Sequence, residues 1–248
     1  MAAYVNAAVF GWYPYLALTV FLLGSLVRFD REQYTWRTGS SQLLRRRQLR
    51  WGSNLFHVGI LIIFFGHAAG LLTPIAVFDW LGISHGFKQG MAIVIGGVAG
   101  VMCFVGIALL AHRRLFDPRI RATSSFGDTA ILLLLWVQLT LGMATIFVSL
   151  QHMDGHEMVK FMYWAQGILT LQPSAAAYIA DVHWLFKAHI FFGLTIFLVF
   201  PFTRLVHAWS APIWYLGRTG YQVVRGGGVA SEAARQQARA MANARRAV

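Results

Sequence analysis

Four histidines carry the chemistry available to this sequence. His57, His67, His189 and His207 all fall inside long apolar stretches, where an ionisable side chain is costly and marks a functional site by default. A lone intramembrane histidine serves equally well in packing or in a helix-to-helix hydrogen bond, but four on two segments ask for more. His57 and His67 lie ten residues apart, about 15 Å along a helix, so they cannot share one ion. A Zn²⁺ site would need its ligands to converge within a few ångström. The single cysteine, Cys103, excludes an intrachain disulfide, a cysteine-paired zinc site and a CxxCH haem attachment. Bis-histidine ligation of two haems accounts for what a metal ion or packing does not, because each flat macrocycle bridges two helices and takes one imidazole from each. Without CxxCH the haems are noncovalent, hence b-type. With both axial positions filled by histidine, the iron transfers electrons and does not bind O₂ or a substrate. Gly59, Gly66, Ala68, Gly70 and Gly193 are expected to leave room for the rings, and arginines near the inner pair to meet propionates.

The elements that must position these histidines are helices in a bilayer. The chain has 248 residues, 57% hydrophobic and only 12% charged, with a mean hydropathy of +0.56. A soluble domain carries roughly 25% charged residues, so neither an aqueous globule nor a disordered chain fits. Five stretches, approximately 5–28, 52–75, 89–112, 128–151 and 183–209, are long enough to cross a bilayer core, which takes about 20 helical residues. No strand-like alternation persists, so the expected fold is all-α, a five-helix transmembrane bundle. The first Lys or Arg is Arg28, so no cationic region precedes the first span and no cleaved signal peptide is expected.

The formal charge of +12 is a topology signal. Of 21 Lys and Arg residues, 18 fall in 28–51, in 113–121 or after the fifth span, all on one side. The other side has Lys88 and Lys160, and Lys187 starts the last span. The positive-inside rule then puts the N-terminus outside and the C-terminus in the cytoplasm, a parity that five spans satisfy, and it removes the case for nucleic-acid binding. Because the second and fifth spans run in opposite directions, depth pairs the histidines. His67 and His189 lie roughly 8 and 9 Å below the outer boundary, counting 1.5 Å per residue. His57 lies roughly 7 Å inside the cytoplasmic boundary, whereas His207 on a straight rod would fall beyond it, a mismatch of about 12 Å. A kink at Pro201 and helix tilt are expected to absorb it.

Two domains are expected, a membrane unit over 1–220 and an Ala/Arg-rich cytoplasmic tail over 221–248. The outer loop 152–182 has an apolar patch at 161–171 that reads as an interfacial segment. Gly96 and Gly100 form a small-xxx-small pattern suited to close helix packing. Lys88 by itself reads first as a snorkelling end-of-span lysine.

The segments Tyr34-Thr35-Trp36-Arg37, Ser53-Asn54-Leu55-Phe56-His57, Gly66-His67 with Leu72-Thr73-Pro74, Arg113-Arg114-Leu115-Phe116, Gln151-His152-Met153-Asp154-Gly155 and Pro201-Phe202 with Arg204-Leu205-Val206-His207 resemble the gamma (cytochrome b) subunit of membrane-bound respiratory nitrate reductase. The resemblance covers roughly residues 8–220. It implies a distal haem b on His67 and His189, a proximal haem b on His57 and His207, and quinol oxidation near the distal haem with Lys88 at the headgroup. It also implies an iron–sulfur beta subunit and a molybdenum-containing alpha subunit on the cytoplasmic face of a bacterial inner membrane, since the chain has no iron–sulfur motif, no GxGxxG and no molybdenum domain of its own. Two alternatives remain open: a cytochrome b subunit of another quinone-linked oxidoreductase, and a transporter with histidine proton relays. The transporter would be expected to show inverted repeats, which are not evident across five spans.

Overall fold

The computed structural model describes residues 1–36, 44–211, 217 and 236–237. The chain divides into two units, Met1–Trp209 and Ser210–Val248. The expected domain boundary at 220, Arg37 and the arginines beyond Arg204 lie outside the described residues.

Helices are the only regular structure among the described residues. Those long and apolar enough to span a membrane run over Ala3–Arg31, Arg46–Leu72, His85–Phe116, Phe126–Ser149 and Trp184–Phe202. In finer detail, α1 (Ala2–Ala7) passes through a π-helical turn (Ala8–Trp12) into α2 (Tyr13–Arg31). Then follow α3 (Arg46–Leu72), α4 (Ile75–Trp80), α5 (His85–Phe116), α6 (Pro118–Ala122), α7 (Phe126–Ser149), α8 (His156–Leu169) and α9 (Trp184–Val199). The starts are written locally: the hydroxyls of Ser84 and Ser125 accept from the Phe87 and Asp128 amides, the usual N-cap arrangement. Val94, Val98, Val101 and Val105 repeat on the exposed face of α5. An apolar face turned outward suits lipid and not water.

Helices α3, α5, α7 and α9 pack in succession, and α2 lies against α9. The pair α3–α5 is antiparallel and very close. A Cβ on Gly59 would lie 2.7 Å from both the Ala99 carbonyl oxygen and the Cys103 amide nitrogen, and one on Gly52 would lie 3.2 Å from the Gly106 oxygen. Small residues at a membrane helix interface admit this backbone approach. The expectation that Gly59 makes room for a macrocycle is therefore corrected: it faces α5. Gly193 is corrected likewise, since its Cβ would lie 3.1 Å from Gln138 Nε2 on α7. Gly66 and Gly70 do face open space, with nothing within 4 Å of a Cβ. Of the Gly96/Gly100 pattern, only Gly100 approaches α7, at Met143.

The apolar patch at 161–171 forms most of α8, which packs on α3 and α5 and on the turn Ala175–Ile179. It buries Met162, Trp164, Gly167 and Ile168 against protein. Trp164 Nε1 donates to the Phe10 carbonyl at 2.9 Å, at the π-helical turn where backbone pairing is loosened. Gly155 begins α8 with φ +80°, and a Cβ there would lie 2.6 Å from the His85 carbonyl oxygen, so glycine is required. Lys160 on α8 holds Glu157 at 2.9 Å and Asp181 at 2.8 Å. The hydrogen bonds that Lys160 donates to Asp181 and Glu157 raise its pKa above the ordinary value, and the one it donates to Asp181 holds that carboxyl below the usual carboxylate range. This tie fastens α8 to the loop that enters α9.

Candidate functional site

The site is built between α3 and α9 with the 3₁₀ turns that follow it. His67 and His189 face each other with ring centroids 6.1 Å apart, and His57 and His207 do the same at 6.1 Å. The structure thus brings together both pairs, the outer one that depth matched and the inner one that straight rods left about 12 Å apart. Interplanar angles are 43° and 68° respectively.

Each imidazole is oriented through Nδ1. His57 Nδ1 donates to the Ser53 carbonyl at 2.7 Å, His67 Nδ1 to the Ile63 carbonyl at 2.8 Å, His189 Nδ1 to the Gln138 carbonyl at 3.2 Å, and His207 Nδ1 to the Arg204 carbonyl at 2.6 Å. A carbonyl only accepts, so the proton resides on Nδ1, and in a neutral ring Nε2 is then the nitrogen with the lone pair. That is the tautomer a metal-ligating histidine uses, with the outer hydrogen bond fixing the ring. Two imidazole nitrogens each about 2 Å from one metal would put their ring centroids about 6 Å apart. Among the described residues no cluster of three or more His, Cys, Asp or Glu could hold a free ion. Two imidazole nitrogens per site, with Gly66 and Gly70 leaving the space beside His67 open, would hold a metal whose remaining donors come with the bound group itself. His57 and His67 are exposed in mid-span, and His189 and His207 are half-buried. The donor set and the cradle therefore fit haem.

The family whose model matches residues 6–227 is described as the nitrate reductase gamma subunit. The chain belongs to that family. It is 49% identical over 223 residues to the respiratory nitrate reductase 1 gamma chain of Escherichia coli, covering 90% of this chain and 98% of that one. Against the respiratory nitrate reductase 2 gamma chain of the same organism it is 48% identical over 225 residues, 91% and 99% of the two chains. The nitrate reductase gamma chain of Bacillus subtilis is 40% identical over 215 residues, 87% and 96%. With five spanning helices and this kinship, the chain is a multi-pass membrane protein.

In this gamma-family chain the inner pair forms because the last span stops early. By about 1.5 Å per residue, the ten residues from His189 to Val199 already match the rise from His67 to His57. The remaining residues to His207 turn across the helix axis, as the 3₁₀ turns Phe200–Phe202 and Arg204–Ser210. The single span expected over 183–209 is corrected accordingly. Pro201 lacks an amide proton, so the α-helical ladder cannot continue through it.

Lys88 does not snorkel. It is 6% exposed, its Nζ lies 2.6 Å from Met162 Sδ on α8 and 3.9 Å from the Phe78 ring centroid on α4. A thioether and a ring face are weak partners for an ammonium, which leaves donor capacity for a polar oxygen. Gln166, one turn beyond Met162, donates to the Leu71 and Thr73 carbonyls at 3.0 and 3.1 Å and so closes the end of α3. Sequence reasoning missed several residues: Met162 and Phe78 over Lys88, and Gln138 and Gly142 beside His189. Gln138 Nε2 stands 3.5 Å from His189 Nε2, with Oε1 buried and unpartnered, and a Cβ on Gly142 would lie 2.9 Å from His189 Cε1. The available signal was that Gln138 is a buried-type amide in mid-span and that Gly142 follows it by one turn.

Proposed function

We propose that this chain is the quinol-oxidising membrane subunit of a respiratory nitrate reductase, with two b haems in series. The observation that carries the proposal is the pair of imidazole couples at 6.1 Å, each ring tied to a backbone carbonyl through Nδ1. His67 and His189 would hold the distal group, and His57 and His207 the proximal one. Bound there, haems relay single electrons between the two faces of the membrane. The orientation supported by the cationic loops has the N-terminus outside and the C-terminus in the cytoplasm, in a bacterial inner membrane.

Lys88 lies at the outer end, buried beneath α8 and α4. Its ammonium would donate to a quinol oxygen and fix the headgroup near His67. Quinol gives up two electrons and two protons on becoming quinone. Released at this end, the protons pass to the outer side while the electrons pass inward. The arginine-rich inner end suits docking of an iron–sulfur beta subunit, from which a molybdenum-containing alpha subunit would receive electrons and reduce nitrate to nitrite. The family relationship supports this choice of partners over other quinone-linked complexes.

The test is a reduced-minus-oxidised spectrum with pyridine haemochrome on the purified complex. Two b haems are expected, falling to one in His67→Ala or His189→Ala with the inner one retained. Two haems remaining in either variant would overturn the ligand assignment, and absence of visible absorption would restore the transporter reading.

A further inference from the structure

The last span breaks before its second histidine, and the break is gripped from a helix that supplies no ligand. Pro201 packs into α2 at Gly24, where a Cβ would lie 2.9 Å from Pro201 Cγ and 3.0 Å from Pro201 Cβ. One turn further along α2, Arg28 Nη1 donates to the Pro201 carbonyl at 2.5 Å and to the Thr203 carbonyl at 2.9 Å, and Nη2 to the Thr35 carbonyl at 2.9 Å. Helix ends leave carbonyls without intrahelical partners, and a forked guanidinium can serve two at once. On the opposite side, Asp128 near the start of α7 sits 3.9 Å from the Arg204 guanidinium and 3.5 Å from Arg114. Arg204 is the residue whose own carbonyl receives His207 Nδ1–H.

An arginine at the cationic end of a span is called for by topology alone, and such an arginine keeps its head in water. Arg28 is half-buried, and its guanidinium bonds run to carbonyls of the break and of the following loop. Gly24 and Arg28 on α2 and Asp128 on α7 thus hold the turn that leads from Val199 to His207, which as a straight helix would run on past the inner end. Without it His207 would lie about 12 Å farther along the axis, eight residues at 1.5 Å each.

We propose that Arg28 is a positioning residue for the proximal haem: through Pro201 and Thr203 it sets where His207 meets His57, with Asp128 as its counterpart acting through Arg204. The inference rests on the dihaem reading. It goes beyond that reading in giving α2 a part in the redox centre, and it assigns that part to one of the two haems only.

The assembled complex is purified from wild type, Arg28→Leu, Arg28→Lys and Asp128→Asn, with His207→Ala as reference. Haem is counted by pyridine haemochrome, each haem's midpoint potential is read by redox titration, and the low-spin ferric signals by electron paramagnetic resonance. In Arg28→Leu the proximal haem is lost, or is kept with a shifted potential and an altered low-spin signal, while the distal haem retains its wild-type potential. Arg28→Lys, whose single shorter ammonium cannot hold the Pro201, Thr203 and Thr35 carbonyls together as Nη1 and Nη2 do, gives a smaller change in the same haem, and Asp128→Asn alters that haem too. Unchanged proximal potential and signal in Arg28→Leu overturn the proposal, as does equal loss of both haems across all three variants. Failure of His207→Ala to remove one haem from a wild type holding two would instead overturn the dihaem ligand assignment.

Discussion

Gly142→Ala adds one methyl group to the wall behind His189 and should empty or distort one haem site of two. In the structure the new Cβ would lie 2.9 Å from Cε1, 3.4 Å from Nδ1 and 3.6 Å from Nε2 of the ring. Carbon atoms rest about 3.5–4.0 Å apart at best, so the imidazole must retreat by roughly 0.5–1 Å. The retreat is poorly tolerated, since Nδ1 already reaches the Gln138 carbonyl at 3.2 Å and the Gln138 amide stands 3.5 Å from Nε2. Overpacking of this kind costs about 1–3 kcal/mol, equivalent to roughly a 5- to 150-fold loss in retention of the group on that pair. The helix itself should not suffer, because alanine in a helix interior is favoured over glycine by about 0.5–1 kcal/mol. Pyridine haemochrome and redox titration of the assembled complex should therefore show a depleted or shifted distal haem beside an unaltered proximal one. Two haems at wild-type potentials would refute the geometry assigned to His189.

Three further outcomes are expected. Lys88→Ala should leave both haems in place and reducible by dithionite, yet slow quinol-driven reduction by about ten- to a hundredfold, the worth of a charge-assisted hydrogen bond of roughly 1.5–3 kcal/mol; unchanged stopped-flow kinetics would remove Lys88 from the quinol site. A reporter fused after Val248 should be cytoplasmic and a tag within 155–175 accessible from outside, and a periplasmic C-terminus would invert the haem order. The Lys160–Asp181 tie should hold at neutral pH. Asp181's contribution is present above the ordinary carboxylate pKa and lost as pH falls through its lowered value, whereas that of Lys160 is present below the ordinary lysine pKa and lost as pH rises through its raised one. Asp181→Asn should accordingly shrink the fall in Tm on acidification, and an identical fall in both proteins would deny the tie any role.

The spans were legible because lipid imposes a composition that few other environments permit. The outer histidine pair was legible because antiparallel direction and helical rise are arithmetic, whereas the same arithmetic left the inner pair about 12 Å apart. What the sequence withheld depends on neighbours that arithmetic does not supply. Gly59 and Gly193 look the same in the sequence as Gly66 and Gly70, but the first two meet α5 and Gln138 while the second two meet open space. Lys88 reads as an interfacial lysine until α8 and α4 cover it with Met162 and Phe78. Pro201 announced a break in the last span, but its direction is set by Gly24 and Arg28, more than 170 positions away in the chain.

The close seam between α3 and α5 has a consequence for the phase of the chain. His57 and His67 project from one rod whose rotation is locked by the contacts of Gly52 and Gly59 with α5. Ten residues at about 100° each leave the two imidazoles roughly 80° out of alignment around that rod, so the two faces they address are geared to one another. A single residue inserted between them would turn one ligand by about a further 100° while shifting its depth by only about 1.5 Å. Chain length between 57 and 67 is therefore fixed by angle far more tightly than by distance, and in this interval a one-residue insertion should do more harm than most substitutions.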